Sequence, residues 1–92
     1  MKVSNMKSSR GNIVANQFVI DNVDEDIRYF QSYNSVIVKR VQLNGGFNVY
    51  LDEQYWNYST TTSKYRNQFL GETTKQTQAN IDSGKYKLVN LN

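Results

Sequence analysis

The chain has no cysteine, no histidine and no proline, and each absence closes a class of chemistry. Without cysteine there is no disulfide, no thiolate nucleophile and no Cys-based zinc site. Without histidine there is no imidazole general base, no Ser-His-Asp arrangement and no imidazole metal ligand. An acid–base enzyme would have to work with carboxylates, Tyr or Lys alone. No proline, repeat or low-complexity run marks a linker, and no apolar run is long enough for a signal peptide or a membrane span. The expectation is a non-catalytic cytoplasmic protein with no metal, no cofactor and no membrane partner.

What is present is modest. The 92 residues suffice for one domain with one small core, and the hydrophobic fraction is only 38%. Aromatics carry much of it, with seven Tyr, four Phe and Trp56. A Tyr ring can be buried while its hydroxyl stays wet, which suits thin sheets and contact surfaces. The net charge of +3 is unevenly spread. Residues 1–20 carry Lys2, Lys7 and Arg10 and no acid, residues 21–63 are acidic on balance, and residues 64–92 are basic again. Two basic ends around an acidic middle give a two-signed surface if the ends meet in the fold.

The pattern along the chain predicts an α+β domain over residues 1–92, with residues 1–10 a flexible N-terminal arm. Residues 12–21 read as a strand with Val14, Phe18 and Ile20 on one face and Asn16 interrupting it. Residues 22–26 have turn composition, and 27–33 resume as a second strand. Residues 36–43 form the most β-like run. Asn44-Gly45-Gly46 then signals a hairpin into residues 47–51. A three-residue loop there, with Gly46 left-handed, would collect Val41, Leu43, Phe47 and Val49 on one face. Bringing Val36 and Val38 to that face calls for a bulge near Lys39-Arg40. Ser59 to Thr62 supplies helix caps; Thr62, Tyr65 and Phe69 recur at helical spacing until Gly71. Thr73 and Gln76 form a capping-box pattern for a second helix ending at Gly84, with Thr77, Ala79 and Ile81 as its inner residues. Residues 85–91 alternate as a last strand. The expected architecture is β-β-β-β-α-α-β, an antiparallel sheet of four to five strands with two short helices near the C-terminus.

Few residues suggest chemistry. Asp24-Glu25-Asp26 has oxygen ligands but no calcium-loop spacing, so it reads as a solvated hairpin tip. Asp52-Glu53 reads as a cap or turn, and Gly45-Gly46 lacks the Lys-Ser/Thr of a phosphate loop. The segment from Tyr55 to Arg66 is the most unusual. It sets Tyr55, Trp56 and Tyr58 beside five hydroxyls, Lys64 and Arg66 at a helix start. Free N–H groups and the helix dipole favour an anion there, while the aromatics can stack on bases or fill a partner's pocket. The alternative is that the hydroxyls cap the helix and Trp56, Tyr65 and Phe69 are core. Asn16, polar on an apolar strand face, completes the set of candidate binding residues; its other role is a hydrogen bond to a neighbouring loop.

Three stretches carry a family resemblance. They are Ser8-Ser9-Arg10-Gly11-Asn12 with Val14-Ala15-Asn16-Gln17-Phe18; Tyr29-Phe30-Gln31-Ser32-Tyr33-Asn34-Ser35; and Leu51-Asp52 through Tyr55-Trp56 to Tyr65-Arg66-Asn67-Gln68-Phe69-Leu70-Gly71. Together they resemble a family of short uncharacterised proteins of bacteriophages and mobile elements of Gram-positive bacteria. The resemblance spans most of the chain. It implies a phage or mobile-element context in a bacterial host cell and supplies no activity and no site residues. The tip from Asn22 to Asp26 is longer than the family pattern. Two functions are then expected. The first is an accessory protein that binds and inhibits a host protein, anti-CRISPR-like or otherwise anti-defence, with the acidic tip entering a basic nucleic-acid channel. The second is a small nucleic-acid-binding module using the sheet, a basic, aromatic-rich surface and the Lys64/Arg66 helix start.

Overall fold

Alternation of side chains along extended segments dominates the computed structural model, which describes all 92 residues. Six strands lie in sequence order across a single sheet: β1 (Lys2–Lys7), β2 (Ile13–Asn22), β3 (Ile27–Ser32), β4 (Ser35–Leu43), β5 (Gly46–Asp52) and β6 (Tyr86–Val89). Neighbours are antiparallel except β5 and β6, which run parallel. A parallel pair cannot be joined by a tight turn. The connection is made by two helices, α1 (Thr60–Leu70) and α2 (Thr74–Asp82). The sheet therefore has six strands and is mixed, where four to five antiparallel strands were expected. The order of the later elements and the place of both helices are as the sequence implied.

The residues expected to be a loose arm form edge strand β1. Lys2 to Asn5 pair with Asp21 to Phe18, and Met6 is buried in the core. Met6 is the one buried side chain of this strand; its other apolar residue, Val3, is exposed. The turn of residues 22–26 is a single 3-10 turn, Val23–Glu25, closed by Asp26 at φ 55°.

Two registers differ from expectation. Leu43 pairs with Gly46 and Val41 with Asn48, so the β4–β5 loop is Asn44-Gly45 alone, and Gly45 rather than Gly46 takes positive φ, 87°. The premise that burial would unite Leu43 and Phe47 fails because the hairpin tip extends past the core; they remain 49% and 55% exposed. With nothing there to bury against, turn chemistry sets the register. The β4 bulge exists, but at Ile37 and not at Lys39-Arg40: Phe30 pairs with Val38 while Gln31 pairs with Val36. The extra residue lets consecutive side chains, Ile37 and Val38, both enter the core.

The helices start and stop where their caps say. Ser59 Oγ accepts the Thr62 N–H at 3.1 Å, and Gly71 ends α1 at φ 70°. In α2 the capping box is complete: Thr73 Oγ1 accepts from the Gln76 amide, and Gln76 Oε1 accepts from the Thr73 amide. Of the three inner residues expected in α2, Thr77 is buried and Ile81 packs against the core, but Ala79 is exposed. Both helices cover one face of the sheet. Phe69 stacks on Phe30 with ring centres 6.0 Å apart, Thr62 hydrogen-bonds Ser32 at 2.8 Å, and Glu72 accepts from the Tyr86 hydroxyl at 2.6 Å. The core of Met6, Phe30, Ile37, Val38, Val49, Leu51, Tyr65 and Tyr86 lies in that one layer.

Candidate binding surfaces

The other face of the sheet has no helix over it. Pairing registers place Val3, Ile20, Tyr29, Lys39, Tyr50 and Lys87 in one row across all six strands, because each is the cross-strand partner of the next. Strand pairing sets neighbours about 5 Å apart, so Tyr29 and Tyr50 stand roughly 10 Å apart with Lys39 between them. Both tyrosines are half-buried, and Lys39 Nζ sits 5.9 Å from the Tyr50 ring centre. Phe18 and Val41 flank the row on the same parity. No exposed carboxylate shares this face. The one acid whose parity falls there, Asp52, is 1% exposed and engaged: its oxygens accept the N–H groups of Gln54, Tyr55 and Leu91. This confirms the turn role read for Asp52.

The face opposite is charged at its far end. Arg28 and Arg40 are direct cross-strand partners, and both stand over the Phe69 ring, at 5.8 and 5.3 Å. Arg28 is paired with Asp21 at 2.5 Å. Arg40 lies between Phe69 and Phe47, and burial, then the Arg28 charge, hold its pKa below the ordinary guanidinium range. The acidic tip is close by, with Asp24, Glu25 and Asp26 all exposed. No cluster of three potential ligands there has the geometry to hold a metal ion.

The structure brings five of the six sequence-derived candidates together and separates the sixth. Tyr55, Trp56 and Tyr58 lie on the loop before α1, and Lys64 and Arg66 lie in its first two turns. Tyr55 and Tyr58 meet edge to face at 5.3 Å; Tyr58 is 48% exposed, while Trp56 and Tyr55 pack against the core. Lys64 is exposed. Arg66 is not available for direct contact, since it is fully buried. Its Nη1 donates to the Trp56 carbonyl and, more weakly, to Asn57 Oδ1 and Ser63 Oγ at 3.3 and 3.4 Å. Its Nη2 donates to Asn67 Oδ1 and Thr74 Oγ1, both at 2.8 Å, and its plane lies 5.1 Å from the Trp56 ring centre. The pairing of Lys64 with Arg66 as two exposed phosphate contacts is thereby corrected. Arg66 shares the inner stripe of α1 with Thr62 and Tyr65, and enough neutral acceptors surround it to make burial tolerable.

Asn16 stands elsewhere, in β2, exposed, with φ 65°. Its carbonyl accepts the Tyr33 N–H at 2.7 Å, so its contact to a neighbouring turn is through the backbone. The irregularity changes strand parity: Val14 packs on the core, whereas Phe18 and Ile20 turn to the open face. The row on the open face was missed from sequence because it depends on five registers at once.

No helix is long and apolar enough to cross a membrane. Residues 1–85 match the family model DUF8033, a family of unknown function, and the chain belongs to that family. No curated protein and no solved structure matches it.

Proposed function

We propose that this DUF8033 member is a non-catalytic binding module that takes single-stranded nucleic acid across the open face of its sheet. The observation that carries the reading is the Tyr29–Lys39–Tyr50–Lys87 row on a face without an exposed carboxylate. Every base has a π face, and stacking on an aromatic side chain is worth about 1–3 kcal/mol per base whatever the sequence. Two tyrosines with a lysine between them suit two bases and the intervening phosphate. A duplex, whose bases are already stacked, offers the row only its backbone. Two lysines neutralising two phosphates give a salt slope of about −1.4, from roughly −0.7 per single-strand phosphate.

The test is fluorescence anisotropy with a labelled single-stranded oligonucleotide at several salt concentrations. The expected result is saturable binding, preference over duplex, and loss in a Lys39→Glu, Lys87→Glu double variant that melts like the parent. Equal affinity of the parent and the double variant at low salt would sink the proposal.

A second reading has its own observation. The exposed turn Asp24-Glu25-Asp26 projects from the β2–β3 end with no ion pair, and suits a basic surface on a protein partner. On that reading the chain is a phage or mobile-element accessory protein that inhibits a host defence protein in the bacterial cytoplasm. The discriminating result is a discrete protein complex that survives nuclease and is lost in Asp24→Lys with Glu25→Lys.

A further inference from the structure

At its hairpin end the covered face of the sheet forms a hollow of about 170 Å3, whose walls include Asp21, Asp26, Arg28, Arg40, Gln42 and Phe47. No residue of α1 or α2 lines it. Pockets for drug-sized ligands and cofactors run to roughly 300–1,000 Å3, so this one admits a head group rather than a whole nucleotide. Its two arginines are cross-strand partners, about 5 Å apart across the sheet. Like charges set directly opposite each other are unfavourable unless something neutralises them. Arg28 has its counter-charge, since its Nε donates to Asp21 at 2.5 Å. Arg40 has none: the chain's only ion pair is Arg28–Asp21, and no acceptor takes a hydrogen bond from the Arg40 guanidinium.

Arg40 is not a loose surface charge. It is half-buried, and its guanidinium carbon lies 4.8 Å from the Phe47 ring centre and 5.3 Å from that of Phe69. Rings stack on the faces of a guanidinium, whereas its N–H donors point outward in its own plane. The two phenylalanines therefore fix the group and leave its fork free. Phe47 and Val23 give the hollow an exposed apolar wall. Burial and the Arg28 charge both weigh against the charged form of Arg40, and an anion at the fork offsets both. With Asp21 taken by Arg28, the remaining acid of the lining is Asp26, which is exposed and unpaired. Its charge disfavours a second negative charge on a ligand, which selects a monoanion over a phosphate dianion.

We propose that this hollow binds a carboxylate, gripped by the fork of Arg40, with the apolar body of the ligand lying on Phe47. A carboxylate matches the planar fork with two parallel hydrogen bonds. The site lies on the opposite face of the sheet from the Tyr–Lys row, so either can fail alone. The carboxylate has two sources, a free small acid or the C-terminus of a peptide that ends in an apolar residue, and both present the same two oxygens.

The experiment is a titration of amide and arginine Nε–H chemical shifts with benzoate at constant ionic strength, with methyl benzoate as the uncharged control. A second titration uses a short peptide ending in leucine against the same peptide with its end amidated. The proposal expects saturable shifts centred on Arg40, Gln42 and Phe47, and none with methyl benzoate. Arg40→Lys keeps the charge but loses the fork, and should weaken binding at least about tenfold, the loss of one charge-assisted hydrogen bond. Phe47→Ala, at an exposed position, should weaken binding while melting like the parent. Asp26 holds φ 55°, a backbone that asparagine also accepts, so Asp26→Asn keeps the turn and should bind at least as tightly as the parent. The Lys39→Glu, Lys87→Glu variant should bind benzoate like the parent. A peptide tighter than benzoate assigns a chain end, and one equal or weaker assigns the free acid. The proposal is overturned by non-saturating shifts, by equal binding of methyl benzoate, or by unchanged affinity in both Arg40→Lys and Phe47→Ala. Loss of affinity in Asp26→Asn would also overturn it, since the hollow would then be holding a cation.

Discussion

Replacing Asp52 by alanine should cost this domain a large part of its stability. Asp52 closes β5 with its carboxylate 1% exposed. One oxygen accepts the amides of Gln54 at 3.1 Å and Tyr55 at 3.0 Å; the other accepts Leu91 at 2.9 Å. One side chain thus ties together the strand end, the loop toward α1 and the C-terminal segment. A hydrogen bond to a charged acceptor contributes about 1.5–3 kcal/mol, and stranding a buried partner costs a similar amount. Gln54 is exposed, so its amide can turn to water. Tyr55 and Leu91 are half-buried, and losing the acceptor for these two amides predicts a loss of about 3–5 kcal/mol. A domain of this length holds about 5–14 kcal/mol in total. The melting temperature should fall by at least about 12 °C, at roughly 4–8 °C per kcal/mol. Asp52→Asn keeps one carbonyl oxygen but aims an NH2 at an amide donor, and should fall between parent and alanine. Urea melts followed by circular dichroism measure this directly, with unchanged m-values as the check that both states stay comparable. An alanine variant within about 1 kcal/mol of the parent would show that these bonds exist only as geometry.

Gly45→Ala should destabilise by about 1–2 kcal/mol, because Gly45 holds φ 87°. Gly46→Ala should be close to neutral, since its backbone is not left-handed and a Cβ there meets open space; equal effects at the two positions in urea melts would refute the register. Tyr86 is raised from its ordinary value to about 12, by desolvation first and then by its hydrogen bond to Glu72. The folded state therefore holds this proton more tightly than the unfolded chain. The resulting stability is complete below about pH 10 and is lost as pH rises through about 12. Parent and Tyr86→Phe melts should converge across that window, and a constant gap between them would argue against the assignment.

Local signals were legible and long-range registers were not. Ser59, Gly71 and the Thr73–Gln76 box placed both helices, because capping satisfies backbone groups within a few residues of the cap. Asn44-Gly45 locates the β4–β5 hairpin, yet its register does not follow from the apolar residues near the tip. Leu43 and Phe47 stay exposed there. Parity alone puts the bulge two to three residues late, because it shows only that an extra residue exists, and its position depends on what β3 offers at Phe30 and Gln31. Arg66 was readable in part: it shares the stripe of Thr62 and Tyr65 on α1. Nothing local says that five neutral acceptors from two helices and a loop will gather around it. The Tyr–Lys row is the extreme case, since it requires the Ile37 bulge and the parallel placement of β6 together.

A sheet covered by helices on one side only must keep its other side stable in water, and that requirement alone does not account for the residues found there. Half-buried tyrosines meet it by exposing a hydroxyl and hiding a ring. Charged residues on the open strands help by discouraging further pairing and aggregation. Edge protection favours lysine and accounts for Lys87 on β6, but not for Lys39 on inner strand β4, and the chain has eight acidic residues to place. Three lie at the β2–β3 tip, Asp21 on the helix-covered face, Asp52 buried at the end of β5, and Glu53, Glu72 and Asp82 in turns and at the end of α2, while the row carries Lys39 and Lys87. Solubility accounts for charge on this face, and its sign is what the proposed binding of single-stranded nucleic acid requires.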